Sequence, residues 1–332
     1  MLLFSATLLE KNYMIQTYHH QIQSKKKEYI WDCEDSIPFN ELIVSWNAAR
    51  PKSGSSFKLS VSLKIDADWS DWLLYADWGA NSQHSGENTD SKHHINVCQD
   101  IVQLLNENNK AVGFKIKIET LGDEALEGFK SLHACVSVPS LLNIENPNSA
   151  WSSLDIDVPL ISQMQLPHPF HHRMCSATST TSVLRYLLKS DEVDSVDFAF
   201  KAWDETFNIF GNWVLNTAHA STILGNSWRC WVQRLKGFDE IYERLKLQMP
   251  VVVSIKGPLH GSAEPYEQGH LIVVKGYDAD KKRILCMDPA FSSNDKTNVS
   301  YALQDFLVSW LRRQNIAYIF EKKTLETRTL PR

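Results

Sequence analysis

The stretch from Ser162 to Ser190, SQMQLPHPFHHRMCSATSTTSVLRYLLKS, constrains this chain more than any other. Small and hydroxylated residues, Ser176 to Ser182, follow Cys175, and Val183, Leu184, Leu187 and Leu188 then recur at helical spacing. The segment reads as a buried helix with Cys175 in its first turn. A helix N-terminus offers free N–H groups and the positive end of the peptide dipole, which stabilise an anion. A thiol placed there is acidified toward the nucleophilic thiolate. A lone cysteine beside an apolar helix is more often a small buried hydrophobe. A chemical role therefore needs a base, an orienting group and an oxyanion donor from elsewhere in the chain.

The sequence after this helix supplies candidates. Asp194–Phe207 has helical periodicity, with Asp194 or Ser195 available as a cap. A loop at Gly211–Trp213 precedes a short helix ending near Gly225, Trp228–Leu235 reads as a strand, and Phe238–Gln248 is helical up to the stop at Pro250. PVVVSIKG and GHLIVVKGYD are short, apolar, β-branched runs of the kind buried on both faces of a sheet. ILCMDPA is a third strand ending at Asp288, Tyr301–Arg313 a helix and Ile316–Phe320 a last strand. His270 opens a strand whose hairpin partner ends at Asp288, so the two can meet across neighbouring strands. The imidazole would take the thiol proton, and the carboxylate would fix its tautomer. The other readings are a satisfied core histidine and a turn residue before Pro289. For the oxyanion, the backbone N–H of Cys175 and a side-chain amide upstream are needed; Gln163 and Gln165 are the candidates.

Before the linker-like segment Pro139–Pro159 the texture is β. Phe57, Leu59, Val61, Leu63 and Ile65 alternate with polar residues, as do Phe114, Ile116 and Ile118. Leu42–Trp46, Trp72–Ala76, His94–Val97 and His133–Val138 are further strands. PKSGSS, GANSQHSGENTDS and NENNK read as the turns between them, which suits an antiparallel sandwich. Trp46, Trp69, Trp72 and Trp78 serve its core and an interdomain seam, or else a ligand-stacking face. The expected division is a polar lead-in over 1–27, a β-sandwich over 28–140, a linker over 141–156 with the boundary near Asn148, a catalytic domain over 157–322 and a loose charged tail over 323–332.

The totals exclude several classes. With 332 residues, two domains are natural. A net charge of −5 without a long basic run argues against nucleic acid as a partner. The opening MLLFSATLLEK is too short to span a membrane and lacks the basic start of a secretory signal, and Met14 is an alternative start. The six cysteines are scattered without metal-type spacing, which fits free thiols in a reducing, cytoplasmic setting. The histidines of HPFHH (His168, His171, His172) read as loop residues rather than metal ligands, and no cofactor or metal is expected.

An early Cys helix followed by an antiparallel sheet carrying His and Asp is the layout of papain-like cysteine hydrolases. The second domain resembles papain-like cysteine peptidases related to the bacteriocin-leader (double-glycine) peptidases, in particular a bacterial subgroup with an N-terminal β domain. VPLISQMQ, MCSATSTTSVL, FGNWVLNTAHAS, PVVVSIKGPLHGSA, GHLIVVKGYD and MDPA carry the resemblance in order, over roughly residues 157–320. SWNAARP and WSDWLLYADWG resemble that subgroup's leading domain. The resemblance implies Cys175 as nucleophile, His270 as base, Asp288 as the orienting acid and Gln163 as the oxyanion glutamine. It puts Trp213 and Asn216 in a recurrent stretch near the substrate cleft. Ala177 stands where that family commonly has proline, as in CSPTS, a change in helix entry rather than in chemistry.

The expected fold is thus α+β, a papain-like cysteine peptidase domain preceded by an antiparallel β-sandwich. The expected function is thiol-dependent cleavage of a peptide or amide bond in a peptide or protein substrate. A peptide- or glycan-binding protein on the same fold, or an acyl or peptidyl transferase, are the alternatives.

Overall fold

The structure, a computed structural model, describes residues 15–106, 109–144 and 151–323. The expected boundary near Asn148 and all but the first residue of the expected tail lie outside them.

The first part of the chain forms eleven strands: β1 (Ile15–Gln21), β2 (Glu28–Cys33), β3 (Glu41–Ala48), β4 (Ser56–Ile65), β5 (Asp68–Trp69), β6 (Leu73–Gly79), β7 (Gln83–Asp90), β8 (Ile95–Gln99), β9 (Ile101–Leu104), β10 (Ala111–Leu121) and β11 (Phe129–Ser137). They make one antiparallel path, β1-β11-β3-β9-β8-β7-β6-β4-β10-β2, with β5 added beside β4. The path folds back on itself about a shared core. Phe57 of β4 meets Phe129 of β11 edge-on at 5.4 Å, and Trp46 of β3 meets Trp78 of β6 at 6.1 Å. Its two ends approach through side chains, where His20 of β1 bonds the Tyr29 hydroxyl of β2 and stacks on Trp31.

Two expectations for this region change. The lead-in is a strand: residues 15–21 pair with β11, from Ile15 opposite Ser137 to Gln21 opposite Ser131. Its polar letters, YHHQ, hide this because only one face is apolar and the His and Tyr rings pack at the edge. The second is GANSQHSGENTDS, read as a turn, which contains β7. This strand bonds β6 through Gln83–Ser85 and β8 through Gly86–Asp90, so it carries the path from one face of the core to the other. Gly86 sits at that crossing with its α-carbon against the Leu74 carbonyl, where no side chain fits. Two polar residues of β7, Gln83 and Ser85, are buried and bonded to the second half of the chain. Gln83 donates to the Trp203 carbonyl, and the Ser85 backbone N–H and hydroxyl both donate to Asp204.

The second part has seven strands: β12 (Leu154–Asp155), β13 (Trp228–Arg234), β14 (Val251–Ile255), β15 (His270–Asp278), β16 (Arg283–Met287), β17 (Asn298–Ala302) and β18 (Ile316–Lys322). They form an antiparallel sheet in the order β13-β18-β14-β15-β16-β17, with β12 on β15. The α-helices are α1 (Cys175–Leu188), α2 (Ser195–Lys201), α3 (Trp213–Leu224), α4 (Phe238–Lys246) and α5 (Leu303–Leu311). Helix α2 is shorter than the expected Asp194–Phe207. Asp194 caps it by accepting the Val196 and Asp197 N–H groups, and the chain leaves the helix at Ala202 to bring buried Asp204 to Ser85 and Asn212. The helix expected from Tyr301 begins at Leu303, because Tyr301 belongs to the edge strand β17. Among the described residues no helix is long and apolar enough to cross a membrane.

The two sheets are joined by buried polar contacts. Val232 donates to the Ser45 hydroxyl, the Asn47 amide bonds both the N–H and the carbonyl of Cys230, and the Arg234 guanidinium pairs with Glu41. Both side chains of the last pair are almost fully enclosed, so the loss of one partner strands a charge in a medium that cannot solvate it. Glu41→Ala is expected to cost about 3–5 kcal/mol, measured as a lower urea midpoint, with much of the loss recovered when Arg234 is also replaced by Met. An unchanged midpoint in the single variant would contradict this role.

Candidate active site

Helix α1 lies on β15, and hydroxyls rather than methyls make much of the contact. The Ser179 hydroxyl donates to the Leu271 carbonyl, Ser182 to the Pro159 carbonyl, and Ser176 shares a hydrogen bond with the Tyr318 hydroxyl of β18. The run of small residues after Cys175 thus allows the helix to approach the sheet closely while the hydroxyls of Ser176, Thr178, Ser179 and Ser182 stay bonded. The result puts Cys175, at the head of α1, beside His270, at the head of β15.

His270 and Asp288 are both buried, and Nε2 of the imidazole lies 2.8 Å from Asp288 Oδ1. That leaves Nδ1 for the sulfur. The β15–β16 pairing, Val273 opposite Met287, brings the strand start and the residue after the strand end together. Asp288 is held from several sides. Its Oδ1 also accepts the Ala290 N–H, and Oδ2 accepts the hydroxyls of Tyr266 at 2.8 Å and Tyr301 at 2.6 Å. The Tyr266 ring stacks on the His270 ring at 4.0 Å, so one residue braces both members of the pair. Neither tyrosine is singled out by sequence reasoning. Tyr266 sits in a loop and Tyr301 on an edge strand, and no periodicity or motif marks either.

The electrostatics separate Cys175 from every other cysteine. Burial alone would raise its pKa, but the His270 charge, a hydrogen bond to His270 and the N–H groups of Leu271 and Ser176 outweigh burial and bring it below the ordinary thiol value. The other five thiols are all shifted upward, burial being the first cause in each. Burial likewise opposes charge on His270, yet Asp288 and the Cys175 thiolate more than compensate and raise it. Asp288 is lowered despite burial, by the imidazolium first and then by hydrogen bonds from His270, Tyr301 and Ala290. The shifts of all three groups are thus toward a thiolate, an imidazolium and a carboxylate.

Gln163 lies in a short 3-10 turn, Gln163–Gln165, and is 3% exposed. Its N–H donates to the Pro289 carbonyl at 2.8 Å, so the backbone that holds the glutamine is tied to the turn that holds Asp288. The Ser162 hydroxyl pins the same turn by accepting the Met164 N–H and donating to the Phe291 carbonyl. Gln163 lines the cleft with Cys175 and His270, and its Oε1 is buried without a partner. Gln165, the other candidate, instead accepts the Asn294 N–H at 3.3 Å.

The cleft is a cavity of about 940 Å³. Trp213 lines it at the start of α3. Asn216 does not: it is fully buried, and its Nδ2 donates to the carbonyls of Phe210 and Asn212. The expectation that groups it with Trp213 at the substrate is thus corrected by its full burial. His172 and Arg173 line the cleft mouth, while His168 packs against Phe170 and Phe200. The wall formed by Cys98–Ile101, at the β8–β9 turn, comes from the N-terminal sheet, and no motif in the sequence marks it. Asp100 in that turn accepts the Val214 N–H at 3.1 Å, an extra cap on α3 supplied across the sheet boundary.

Residues 155–318 match the model of the Peptidase C39 like family. Among solved structures, xylellain, a cysteine protease from Xylella fastidiosa, is similar at 9% identity and a TM-score of 0.32, over 55% of this chain and 96% of its own. No curated protein matches the chain.

Asp288→Asn preserves size and an oxygen for the tyrosine hydroxyls but removes the charge that raises His270. Thiolate absorbance followed against pH is expected to show the Cys175 midpoint moving up toward about 8.5; a midpoint that stays in place would mean that Asp288 does not act on the pair.

Proposed function

We propose that this peptidase C39-like domain hydrolyses a peptide or related amide bond through an acyl-enzyme on Cys175. The observation that carries the reading is the buried Cys175–His270–Asp288 arrangement opening into a cleft that Gln163 also lines. The Cys175 thiolate attacks the carbonyl carbon. The resulting oxyanion is received by the Cys175 backbone N–H and the Gln163 side-chain amide, which act where charge develops in the transition state. The His270 imidazolium gives its proton to the departing amine, leaving a thioester and a neutral imidazole. A water molecule deprotonated by His270 then attacks the thioester, and the sulfur leaves as the thiolate. Asp288 keeps its charge throughout. It orients the ring and stabilises the imidazolium, while Tyr266 and Tyr301 hold the carboxylate in place.

The pH dependence follows from the directions of the shifts. The reactive pair exists above the lowered pKa of Cys175 and below the raised pKa of His270. Activity is therefore expected to fall on the acid side as the sulfur is protonated and on the alkaline side as the imidazole loses its proton.

The test uses a library of peptides, with cleavage read by mass spectrometry. Cys175→Ala should abolish turnover while circular dichroism stays unchanged, and Gln163→Ala should lower kcat by about 10²–10³-fold. Turnover retained without Cys175 would sink the assignment. Adding an amine nucleophile during turnover distinguishes hydrolysis from acyl transfer, since only a transferase diverts the thioester largely to the new amide.

A further inference from the structure

Arg313 follows α5 and lines the catalytic cleft with Cys175, Trp213 and Gly269. Its Nη2 donates to the Gln268 carbonyl at 2.9 Å, and its guanidinium carbon lies 5.9 Å from the centre of the Trp213 ring. The guanidinium rests against the α-carbon of Gly269, a residue at φ +96° where a side chain would collide with it. No carboxylate pairs with it among the described residues. The Gln268 carbonyl takes one of its five N–H donors, and Nε is buried without an acceptor.

The surroundings leave this charge uncancelled. The acid that acts on it most strongly is Asp100, from the β8–β9 turn. Burial raises Asp100 to about 8, partly opposed by the N–H groups of Val214 and Trp213, so it is largely neutral at pH 7. Glu264 and Glu267 also line the cleft, but both are exposed and well solvated. The Cys175 thiolate is already matched by the imidazolium. A half-buried guanidinium with free donors, beside a tryptophan ring and facing the cleft, is suited to a carboxylate, which it can bind through two parallel hydrogen bonds.

We infer that Arg313 forms a carboxylate-binding subsite in the cleft, and that the substrate carries a carboxylate close to the bond presented to Cys175. The carboxylate belongs either to an acidic side chain or to the C-terminus of a short peptide. The substrate half of this statement rests on the hydrolase reading, whereas the anion site does not. The N-terminal sheet takes part in this subsite through Asp100, which links its β8–β9 turn to the backbone of Trp213 and Val214.

The anion site is tested by alkylating Cys175 with iodoacetate and with iodoacetamide at pH 7, followed by mass spectrometry, in the wild-type chain, Arg313→Gln and Arg313→Lys. The ratio of the two rates is independent of how much thiolate is present, so it cancels any effect of the substitution on the pair with His270. The ratio is expected to fall about 5-fold or more in Arg313→Gln and less in Arg313→Lys. An unchanged ratio in Arg313→Gln overturns the subsite. In parallel, peptides paired as Glu against Gln at each position, and as free against amidated C-terminus, identify the source of the carboxylate. One arm should show an advantage in kcat/KM of about 10-fold that disappears in Arg313→Gln. Equal cleavage in both arms overturns the substrate class. A falling alkylation ratio with no peptide cleaved by the wild-type chain would support the anion site and contradict the hydrolase.

Discussion

The structure depends on keeping one ion pair, Cys175 with His270, in a place where burial disfavours both charges. Desolvation pushes the thiol up and the imidazole down. Only the arrangement around them reverses both shifts. Asp288 supplies the opposing charge, and it is itself affordable in the interior because two tyrosine hydroxyls, one backbone N–H and the imidazole share its two oxygens. Three elements of the sheet therefore have a chemical as well as a mechanical task. Strand β15 carries His270, the end of β16 delivers Asp288, and β17 brings Tyr301 to the carboxylate. The hydroxyl-rich face of α1 completes the geometry by letting Cys175 approach the sheet while Ser176 and Ser179 bond to it.

The N-terminal sheet is tied into the same construction. Its contacts with the second part of the chain include hydrogen bonds between buried polar groups: Asn47 with Cys230, Ser85 with Asp204, Glu41 with Arg234. Such contacts fix orientation strictly, since a small shift leaves several groups unsatisfied at once. The Arg50 guanidinium spans the boundary in the same way, with its Nη1 on the Gly79 carbonyl and Gln83 and its Nη2 on the Lys201 carbonyl, over the face of Trp78. The boundary thus positions the β8–β9 turn against the first turn of α3, and through it the wall of the cleft.

The parts legible in the sequence were those with a strong local signature. The apolar runs of β14 and β15, the small-residue face of α1 and the alternation in β4 and β10 all state their own burial. Cys175, His270 and Asp288 could be grouped because each stands at the end of such an element. What stayed hidden was set by contacts remote in sequence. Strand β7 looks like a turn because its buried side chains satisfy polar partners across the boundary rather than an apolar core. Strand β1 looks like a lead-in for the same kind of reason, its His and Tyr residues packing at a sheet edge. Asn216 has the letters of a cleft residue but spends its amide on the carbonyls that shape the entry to α3. Tyr266, Tyr301, Asp100 and Arg313 lack any neighbouring pattern, and their importance arises only once the strands have brought them to one place.

The central claim is that His270 holds Cys175 as a thiolate. It is tested most directly by the rate of Cys175 alkylation against pH, in the wild-type chain and in His270→Ala, with each cysteine followed separately by mass spectrometry. The account predicts rapid labelling of Cys175 below neutral pH, ahead of the other five cysteines, and its loss in the variant. Slow labelling with an ordinary thiol profile in both proteins would contradict it.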